Sequence, residues 1–211
     1  LADRLKEYYV MGARFTKWRA VIAIGESIPT QDALEENSRI LAEYAVVAQA
    51  GGFVPIVEPE VLLTGDHTIE KAEEVTTRTL QAVFEALEKK GVDLAGLILK
   101  SSMVLSGKEC PEQADAKRVA VSTVRTFKNS VPENVAGIVF LSGGQSPEQA
   151  TENLAEIIKL GKQPWPLSFS FSRALQEPVL ETWRGNNANR EAAQQAFLKR
   201  LRLNKSALSG A

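Results

Sequence analysis

The stretch Leu97-Ile98-Leu99-Lys100 places a lysine at the end of an apolar run, and two serines follow it directly. The run predicts a buried strand over residues 94–99. Lysine is rare in a protein core unless it is paired or has a function. At the C-terminal end of a parallel strand, where α/β proteins place catalytic groups, Lys100 is a candidate catalytic residue. The alternative is a strand that simply ends there, with Lys100 in solvent.

Four other apolar runs predict strands, and predicted helices separate all five. Helix starts are indicated by Thr30 before one helix and by Ser146-Pro147 before another, because hydroxyls cap N-termini and proline suits the first helical position. The predicted strands are 17–24, 53–57, 94–99, 137–141 and 167–171, and the predicted helices are 3–11, 31–49, 68–90, 113–129, 147–160, 173–183 and 188–202.

Strand and helix alternation of this kind indicates right-handed βαβ units and a parallel sheet. Continuous apolar strands indicate a sheet covered on both faces. Two architectures fit, an open doubly wound sheet and a (β/α)8 TIM barrel. Polar residues follow several strands and no phosphate-loop glycine fingerprint follows any of them, which favours the barrel. We therefore predict a single domain over residues 1–211 with about five βα units of a barrel, the other three strands preceding Leu1.

Composition limits the functional class. Of 211 residues, 44% are apolar and 24% charged, which is typical of a soluble globular protein. A net charge of −1 provides no field that would attract nucleic acid or an anionic membrane. The single cysteine, Cys110, cannot form an internal disulfide, and no apolar run approaches the ~20 residues of a membrane span. We expect a cytoplasmic protein without nucleic-acid or membrane partners.

The residues around Lys100 suggest imine chemistry. An ε-amine attacks a carbonyl only when it is unprotonated, which burial or a second cation promotes. Lys17 is a candidate for that cation, or a surface lysine that pairs with Glu26 or Glu58. Imine formation also needs a general acid and a base, and Glu58 and Glu60 flank a proline at a predicted strand end. Their alternative role is to balance the nearby cations.

A second group of residues predicts an anion site. Ser142, Gly143 and Gly144 follow a strand and precede a helix start, so backbone amides and the helix N-terminus can face a phosphate. The same loop could be an ordinary turn. Ser170 and Arg173 after the next strand strengthen the phosphate interpretation, because a guanidinium can bind phosphate oxygens with two hydrogen bonds.

Taken together, these residues resemble the class I fructose-bisphosphate aldolase family. The resemblance spans nearly the whole chain, in order and at compatible spacing. Its strings are FTKWR at 15–19, VPIVEPE at 54–60, GDH at 65–67, LK at 99–100, FLSGGQS at 140–146 and SFSRALQ at 170–176.

The resemblance implies a (β/α)8 barrel, cytosolic and usually a homotetramer, that needs neither metal nor other cofactor. The implied reaction is reversible cleavage of fructose 1,6-bisphosphate to dihydroxyacetone phosphate and glyceraldehyde 3-phosphate in glycolysis and gluconeogenesis. Lys100 resembles the Schiff-base lysine, Glu58 the acid/base residue, Glu60 the second carboxylate and Lys17 the cation beside the imine. Arg19 resembles a contact to one phosphate. The residues that resemble the other phosphate site are Ser142, Gly143, Gly144, Ser170, Ser172 and Arg173.

The sequence departs from the family pattern in several places. Ala95 and Ser101 stand where the family usually has glutamate and proline around the lysine, and Ser172 stands where it usually has glycine. The chain matches the family from roughly the fourth strand onward, so we expect a fragment, or a truncated homologue completed by another chain. Two alternatives remain: a non-catalytic phosphosugar-binding or assembly module with the same fold, and a different imine-forming lyase of the transaldolase kind.

Overall fold

A computed structural model describes residues 1–210 and contains five parallel strands that alternate with helices. The strands are β1 (Phe15–Ile22), β2 (Val54–Val61), β3 (Ile98–Ser101), β4 (Gly137–Phe140) and β5 (Leu167–Phe169). The helices are α1 (Ala2–Val10), α2 (Gln31–Ala50), α3 (Ile69–Lys89), α4 (Ala116–Ser130), α5 (Pro147–Lys159), α6 (Arg173–Trp183) and α7 (Arg190–Leu208). Short 3-10 turns lie at Leu94–Gly96 and Asn187–Asn189.

The order of the strands in the sheet is their order in the chain. Every neighbouring pair is parallel, so each connection returns the chain to the next position along the sheet. Consecutive helices from α2 to α5 contact one another and form one outer layer. A doubly wound sheet would reverse its strand order at a switch point, so the observed order agrees with the barrel prediction. Within residues 1–210 the arc is open, with β1 and β5 as its edges.

The core lies between the sheet and the helix layer. Leu99, Ile138 and Phe140 point toward the helices and are fully buried, each worth about 1.5–3 kcal/mol in removed apolar surface. Side chains alternate along a strand, so Lys100 and Val139 point to the opposite, inner face. The inner face of the sheet is therefore the one that carries the polar side chains.

Four helices begin with a side chain that accepts a backbone N–H of the first turn. This arrangement contributes about 0.5–2 kcal/mol per helix. The predicted caps Thr30 and Ser146 both form it, at 3.2 and 3.1 Å. Thr68 and Asp115 cap α3 and α4 in the same way. Helix α4 therefore begins at Ala116 rather than at the predicted residue 113.

Strand β2 is longer than predicted. The predicted strand ends at residue 57, whereas β2 continues to Val61 and pairs with β1 along its whole length. Glu58 and Glu60 therefore lie inside a strand rather than after it. Pro59 is tolerated because β2 pairs with β3 only at residues 56–57, so no hydrogen bond from position 59 to β3 is needed.

Two other predicted boundaries were wrong by more than two residues. Residues 94–96 were predicted as strand but form a 3-10 turn, because the Asp93 side chain accepts the Ala95 N–H at 3.0 Å. The last helix was predicted to end at residue 202, with a polar tail. Helix α7 continues to Leu208 because Asn204 and Ala207 are buried against the neighbouring helix, where Thr151 donates to Asn204 at 3.0 Å. Within residues 1–210 no helix is both long enough and apolar enough to cross a membrane.

Candidate active site

A cleft of about 400 Å³ lies at the carboxyl ends of the strands, on the inner face of the sheet. Every predicted site residue except Gly144 lines it, and Gly144 lies at its edge, beside Arg173. The lining residues are Lys17, Arg19, Glu58, Glu60, Lys100, Leu141, Ser142, Gly143, Ser170, Ser172 and Arg173. The structure thus brings together residues from all five strand regions.

Glu58 bridges the two lysines of the cleft. Its Oε2 accepts from Nζ of Lys17 at 2.5 Å, and its Oε1 lies 3.1 Å from Nζ of Lys100. The side chains of Glu58 and Lys100 are only 5% and 11% exposed, whereas that of Lys17 is 43% exposed. Of the two partners considered for Lys17, the structure selects Glu58 over Glu26. A buried carboxylate thus lies within proton-transfer distance of a largely buried amine.

The register of the strands produces this arrangement. Residue 19 on β1 lies opposite Glu58 on β2, and Val57 lies opposite Leu99 on β3. Because alternate residues share a face, Lys17 and Arg19 project with Glu58 and Lys100 into the cleft. A shift of one residue in the register would turn these side chains toward the helices.

Arg19 and Glu60 form a second ion pair, with Nε 2.5 Å from Oε2. Glu60 is buried, and Arg19 is about half exposed. The hydrogen bond that Arg19 donates to Glu60 raises the pKa of Arg19, against a smaller opposing effect of burial. Among residues 1–210, only Nε of Arg19 forms a hydrogen bond, so its two Nη groups are free in a residue that lines the cleft.

The loop after β4 borders the cleft through Ser142 and Gly143. Gly143 and Gly144 have φ values of +45° and +84°, which non-glycine residues rarely adopt. Gln145 N–H donates to the Ser142 carbonyl at 2.9 Å, and α5 begins at once behind its Ser146 cap. The amides of Gly143 and Gly144 have no acceptor within the described residues. The loop therefore combines free donors with a helix N-terminus, a combination suited to an anion.

The segment after β5 completes this side of the cleft. Ser170 is held by its N–H, which donates to the Phe140 carbonyl at 2.8 Å. Ser172 has a φ of −103°, so a serine fits there without the strain that a left-handed conformation would impose. Its hydroxyl lies 3.3 Å from Oε1 of Gln176. Arg173 begins α6 and lies exposed at the mouth of the cleft.

Residues 1–210 contain no group of three histidine, cysteine, aspartate or glutamate side chains placed to hold a metal ion. Cys110 is buried, and its thiol donates to the Glu112 carbonyl at 3.3 Å. Apart from Arg173, the charged groups of the cleft are arranged as cation–carboxylate pairs. Such pairs suit proton transfer and anion binding.

Sequence reasoning missed the part that Arg200 plays behind the cleft. This guanidinium is only 4% exposed. It donates to the Ala174 carbonyl at 3.3 Å, to Oγ1 of Thr151 at 2.5 Å and to the Pro147 carbonyl, and it pairs with Glu148. Arg200 therefore ties the first turn of α5 to the first turn of α6. In the sequence it stands in a run of basic and polar residues that looks like an exposed helix face.

Two loops close against each other beside the cleft, at Gly65 and Gly107. The Gly107 N–H donates to the His67 carbonyl at 2.7 Å, and the Glu109 N–H donates to the Gly65 carbonyl at 3.0 Å. A Cβ at position 107 would lie 2.7 Å from the carbonyl carbon of Gly65 and would overlap the carbonyl oxygen. Glycine is therefore required at position 107.

Gly107→Ala is expected to lower the free energy of unfolding by about 1–3 kcal/mol, because the added methyl group forces the two loops apart. Urea unfolding measures the change. Gly137→Ala is the matched control, since a Cβ there would meet nothing closer than 3.4 Å. An unchanged urea midpoint for Gly107→Ala would contradict the close contact of the two loops.

His67 is buried, in the loop between β2 and α3. Its Nδ1 has no hydrogen-bond partner among residues 1–210. Burial lowers the pKa of His67, and the negative charges of Asp66 and Glu109 oppose this effect in part. The folded protein therefore favours the neutral imidazole.

Since the pKa of His67 is lower in the folded state, the unfolded state binds more protons as the pH falls below ~6.5. The free energy of unfolding should therefore decrease between pH 7 and pH 5.5, by at most about 1.4 kcal/mol per pH unit for this one proton. His67→Gln should remove this component, because His67 is the only histidine of the chain. Urea unfolding of both proteins at the two pH values tests the prediction, and identical pH dependences would contradict it.

Comparison with known proteins identifies the family. The family model described as fructose-bisphosphate aldolase class-I matches residues 1–211. The chain belongs to the class I fructose-bisphosphate aldolase family. It is similar to a probable fructose-bisphosphate aldolase class 1 of Xanthomonas campestris, with 52% identity over the whole chain and 63% of that relative. It is also 50% identical to fructose-bisphosphate aldolase 6, cytosolic, of Arabidopsis thaliana, again over the whole chain and 59% of that relative.

The solved aldolase of Plasmodium falciparum, in complex with TRAP and a small-molecule inhibitor, has the same fold. It superimposes with a TM-score of 0.97 at 46% identity, over 99% of this chain and 61% of that one. This confirms the predicted barrel family, of which the chain contains five strands. The chain spans about three fifths of the length of these aldolases.

Proposed function

We propose that this chain carries the catalytic site of a Schiff-base lyase that reversibly cleaves fructose 1,6-bisphosphate. The products are dihydroxyacetone phosphate and glyceraldehyde 3-phosphate. The observation that carries the proposal is the buried Lys100 beside Glu58, in a cleft whose rim presents anion-binding groups. Membership of the class I aldolase family supports the same reaction.

In the proposed mechanism, Nζ of Lys100 attacks the ketone carbonyl of the substrate and forms a carbinolamine. Glu58 acts as the acid that protonates the departing hydroxyl, which leaves as water and yields the imine. The 3.1 Å between Glu58 and Lys100 suits this proton transfer. The C3–C4 bond then breaks, its electron pair moves toward the protonated imine, and a base removes the C4 hydroxyl proton. Protonation and hydrolysis of the resulting enamine release the second product and restore Lys100.

Lys17 and Glu60 support this chemistry in the proposal. Lys17 holds Glu58 from the side opposite Lys100 and provides the cation beside the imine. Glu60 is the second carboxylate, and it holds Arg19 by a 2.5 Å ion pair. Two carboxylates with different partners can carry different protonation states, as an acid and a base require.

Two sets of groups would bind the two substrate phosphates. Arg19 presents its free Nη groups to one phosphate. The other phosphate would lie among the groups that meet on the opposite rim, where free amides, a helix N-terminus and a guanidinium converge. These groups belong to Ser142, Gly143, Gly144, Ser170, Ser172 and Arg173. Two phosphate sites around one imine lysine favour an aldolase over a transaldolase-like lyase or a non-catalytic binding module.

The domain organisation, oligomeric state, location and partners of the protein are proposed on the same basis. The chain forms one domain, the C-terminal part of the barrel. The complete protein is a homo-oligomer, a tetramer as the family resemblance implies, and acts in the cytoplasm in glycolysis and gluconeogenesis. The Arabidopsis relative described as cytosolic supports this location. Phosphorylated sugars are its partners, without metal, nucleic acid or membrane.

The test of the proposed function is a cleavage assay with the full-length protein that contains this chain. Incubation with fructose 1,6-bisphosphate should release dihydroxyacetone phosphate and glyceraldehyde 3-phosphate in equal amounts, detected by coupled dehydrogenases. Addition of a chelator should leave the rate unchanged, because no step uses a metal. Absence of both products at saturating substrate would contradict the proposal and favour the non-catalytic module.

A further inference from the structure

We propose that Lys108 is an additional phosphate-binding residue of this cleft, one that the family strings do not include. The inference rests on the proposed function, because it assigns a further contact to the phosphate site formed by residues 142–144 and Arg173. Lys108 follows the buried residues 102–107, in the loop after β3 that packs against Gly65. It lies five residues before the start of the predicted helix at residue 113 and matches no motif, so sequence analysis did not single it out.

The geometry brings Lys108 and Arg173 to the same glycine of the anion loop. A Cβ built on Gly144 would lie 3.1 Å from Cε and 3.2 Å from Nζ of Lys108. The same point lies 4.0 Å from Nη2 of Arg173. An ammonium and a guanidinium therefore flank the backbone that also presents the free amides of Gly143 and Gly144.

Lys108 and Arg173 have no counter-charge, unlike the other cations that line the cleft. Lys17 and Lys100 pair with Glu58, and Arg19 pairs with Glu60. Among residues 1–210, neither Lys108 nor Arg173 forms an ion pair or a side-chain hydrogen bond. Two like charges held close together repel each other. An anion bound between them is attracted by both cations, and this attraction offsets their repulsion. The pattern of pairing therefore singles out the space between Lys108 and Arg173 as the place for a dianion.

The backbone of Lys108 is held in place by hydrogen bonds to the facing loop. Its N–H donates to the Leu63 carbonyl at 2.8 Å, and the neighbouring amides of Gly107 and Glu109 are held against the facing loop in the same way. Gln113 adds hydrogen bonds of 2.8 Å to the carbonyls of Gly107 and Cys110. Anion binding thus restricts only side-chain rotamers, which reduces its entropic cost.

The ligand that this arrangement fits is a phosphate ester. Arg173 can bind two oxygens in its planar fork, Lys108 adds a compact charge, and the loop amides take the remaining lone pairs. Lys108 contacts neither Lys100 nor Glu58, so it should stabilise the bound substrate and the transition state equally. Its removal should therefore raise KM and leave kcat nearly unchanged.

The test compares Lys108→Met, Lys108→Arg and a matched control, Lys128→Met, in the full-length protein. Lys128 is an exposed lysine at the end of α4, remote from the cleft. We expect Lys108→Met to raise KM for fructose 1,6-bisphosphate about five- to tenfold with kcat within about twofold, the scale of one charge-assisted contact at a solvated rim. Lys108→Arg should restore most of the affinity, and Lys128→Met should change neither constant. A KM for Lys108→Met within about twofold of the parent would overturn the proposal.

A direct binding measurement separates this inference from the proposed function. Calorimetric titration with dihydroxyacetone phosphate reports affinity whether or not cleavage occurs. If the parent protein binds this probe but cleaves nothing, the proposed function fails, and a five- to tenfold weaker affinity of Lys108→Met would still support Lys108 as a phosphate contact. Equal affinities of parent and variant would overturn the role of Lys108 even in an active aldolase.

Discussion

Lys100→Arg is expected to abolish cleavage of fructose 1,6-bisphosphate, with a fall in kcat on the order of 10⁴-fold or more, as for the loss of other covalent nucleophiles. A guanidinium stays protonated in proteins and cannot attack a carbonyl, although it keeps the positive charge beside Glu58. The steady-state rate with the two-enzyme coupled assay measures the effect. Because the substitution conserves the positive charge, a loss of kcat would reflect the missing nucleophilic amine and not a missing ion pair.

The matched control for this variant is Lys128→Arg, the same substitution at an exposed position outside the cleft. It should leave kcat unchanged. Because the Lys100 side chain is only 11% exposed, a thermal unfolding curve must accompany the assay to show that Lys100→Arg is folded. A folded Lys100→Arg protein with full activity would refute the imine mechanism.

Glu58→Gln should have the second largest effect, a fall in kcat of about 10²–10⁴-fold, the range typical of general acid–base catalysis. Glutamine preserves the shape of the side chain, but it cannot give a proton to the carbinolamine or take one back. It also leaves the ammonium groups of Lys17 and Lys100 without the carboxylate that lies between them. Steady-state kinetics and the rate of imine trapping by borohydride should both decline.

The control for Glu58→Gln is Glu85→Gln, on the exposed side of α3. A merely structural role for Glu58 predicts a different outcome, in which the variant unfolds more readily while its folded fraction keeps the parental kcat. Comparison of kcat per folded molecule distinguishes the two roles. Parental kcat in a fully folded Glu58→Gln protein would contradict the acid/base assignment.

Part of the cleft could be predicted from the sequence because several of its residues lie at or just after strand ends, whereas Lys17, Arg19, Glu58 and Glu60 lie inside strands. Strand ends can be found from apolar runs alone, and parallel strands bring their ends to one edge of the sheet. Lys100, Ser142 and Arg173 were located in this way before any distance was known. The barrel followed from the same pattern, since polar residues after many strands distinguish it from a doubly wound sheet.

The sequence could not predict which charges pair. Lys17 had two possible carboxylate partners, and the choice of Glu58 depends on a register that joins residues 41 positions apart. The predicted strand 53–57 also ends too early, since pairing with β1 continues past Pro59 to Val61. Arg200 and Lys108 lie in polar stretches, and their roles depend on loops and helices that meet only in three dimensions. The burial of the polar Asn204, which lengthens α7, also depends on a contact with a neighbouring helix that forms only in three dimensions.

The most direct test of the aldolase assignment is chemical trapping of the imine. The full-length protein is incubated with dihydroxyacetone phosphate, reduced with borohydride, digested and mapped by mass spectrometry. We predict one adduct per chain, located on Lys100 and absent from the Lys100→Arg protein. An adduct on a different lysine, or no adduct at saturating ligand, would contradict the assignment of Lys100 as the Schiff-base residue.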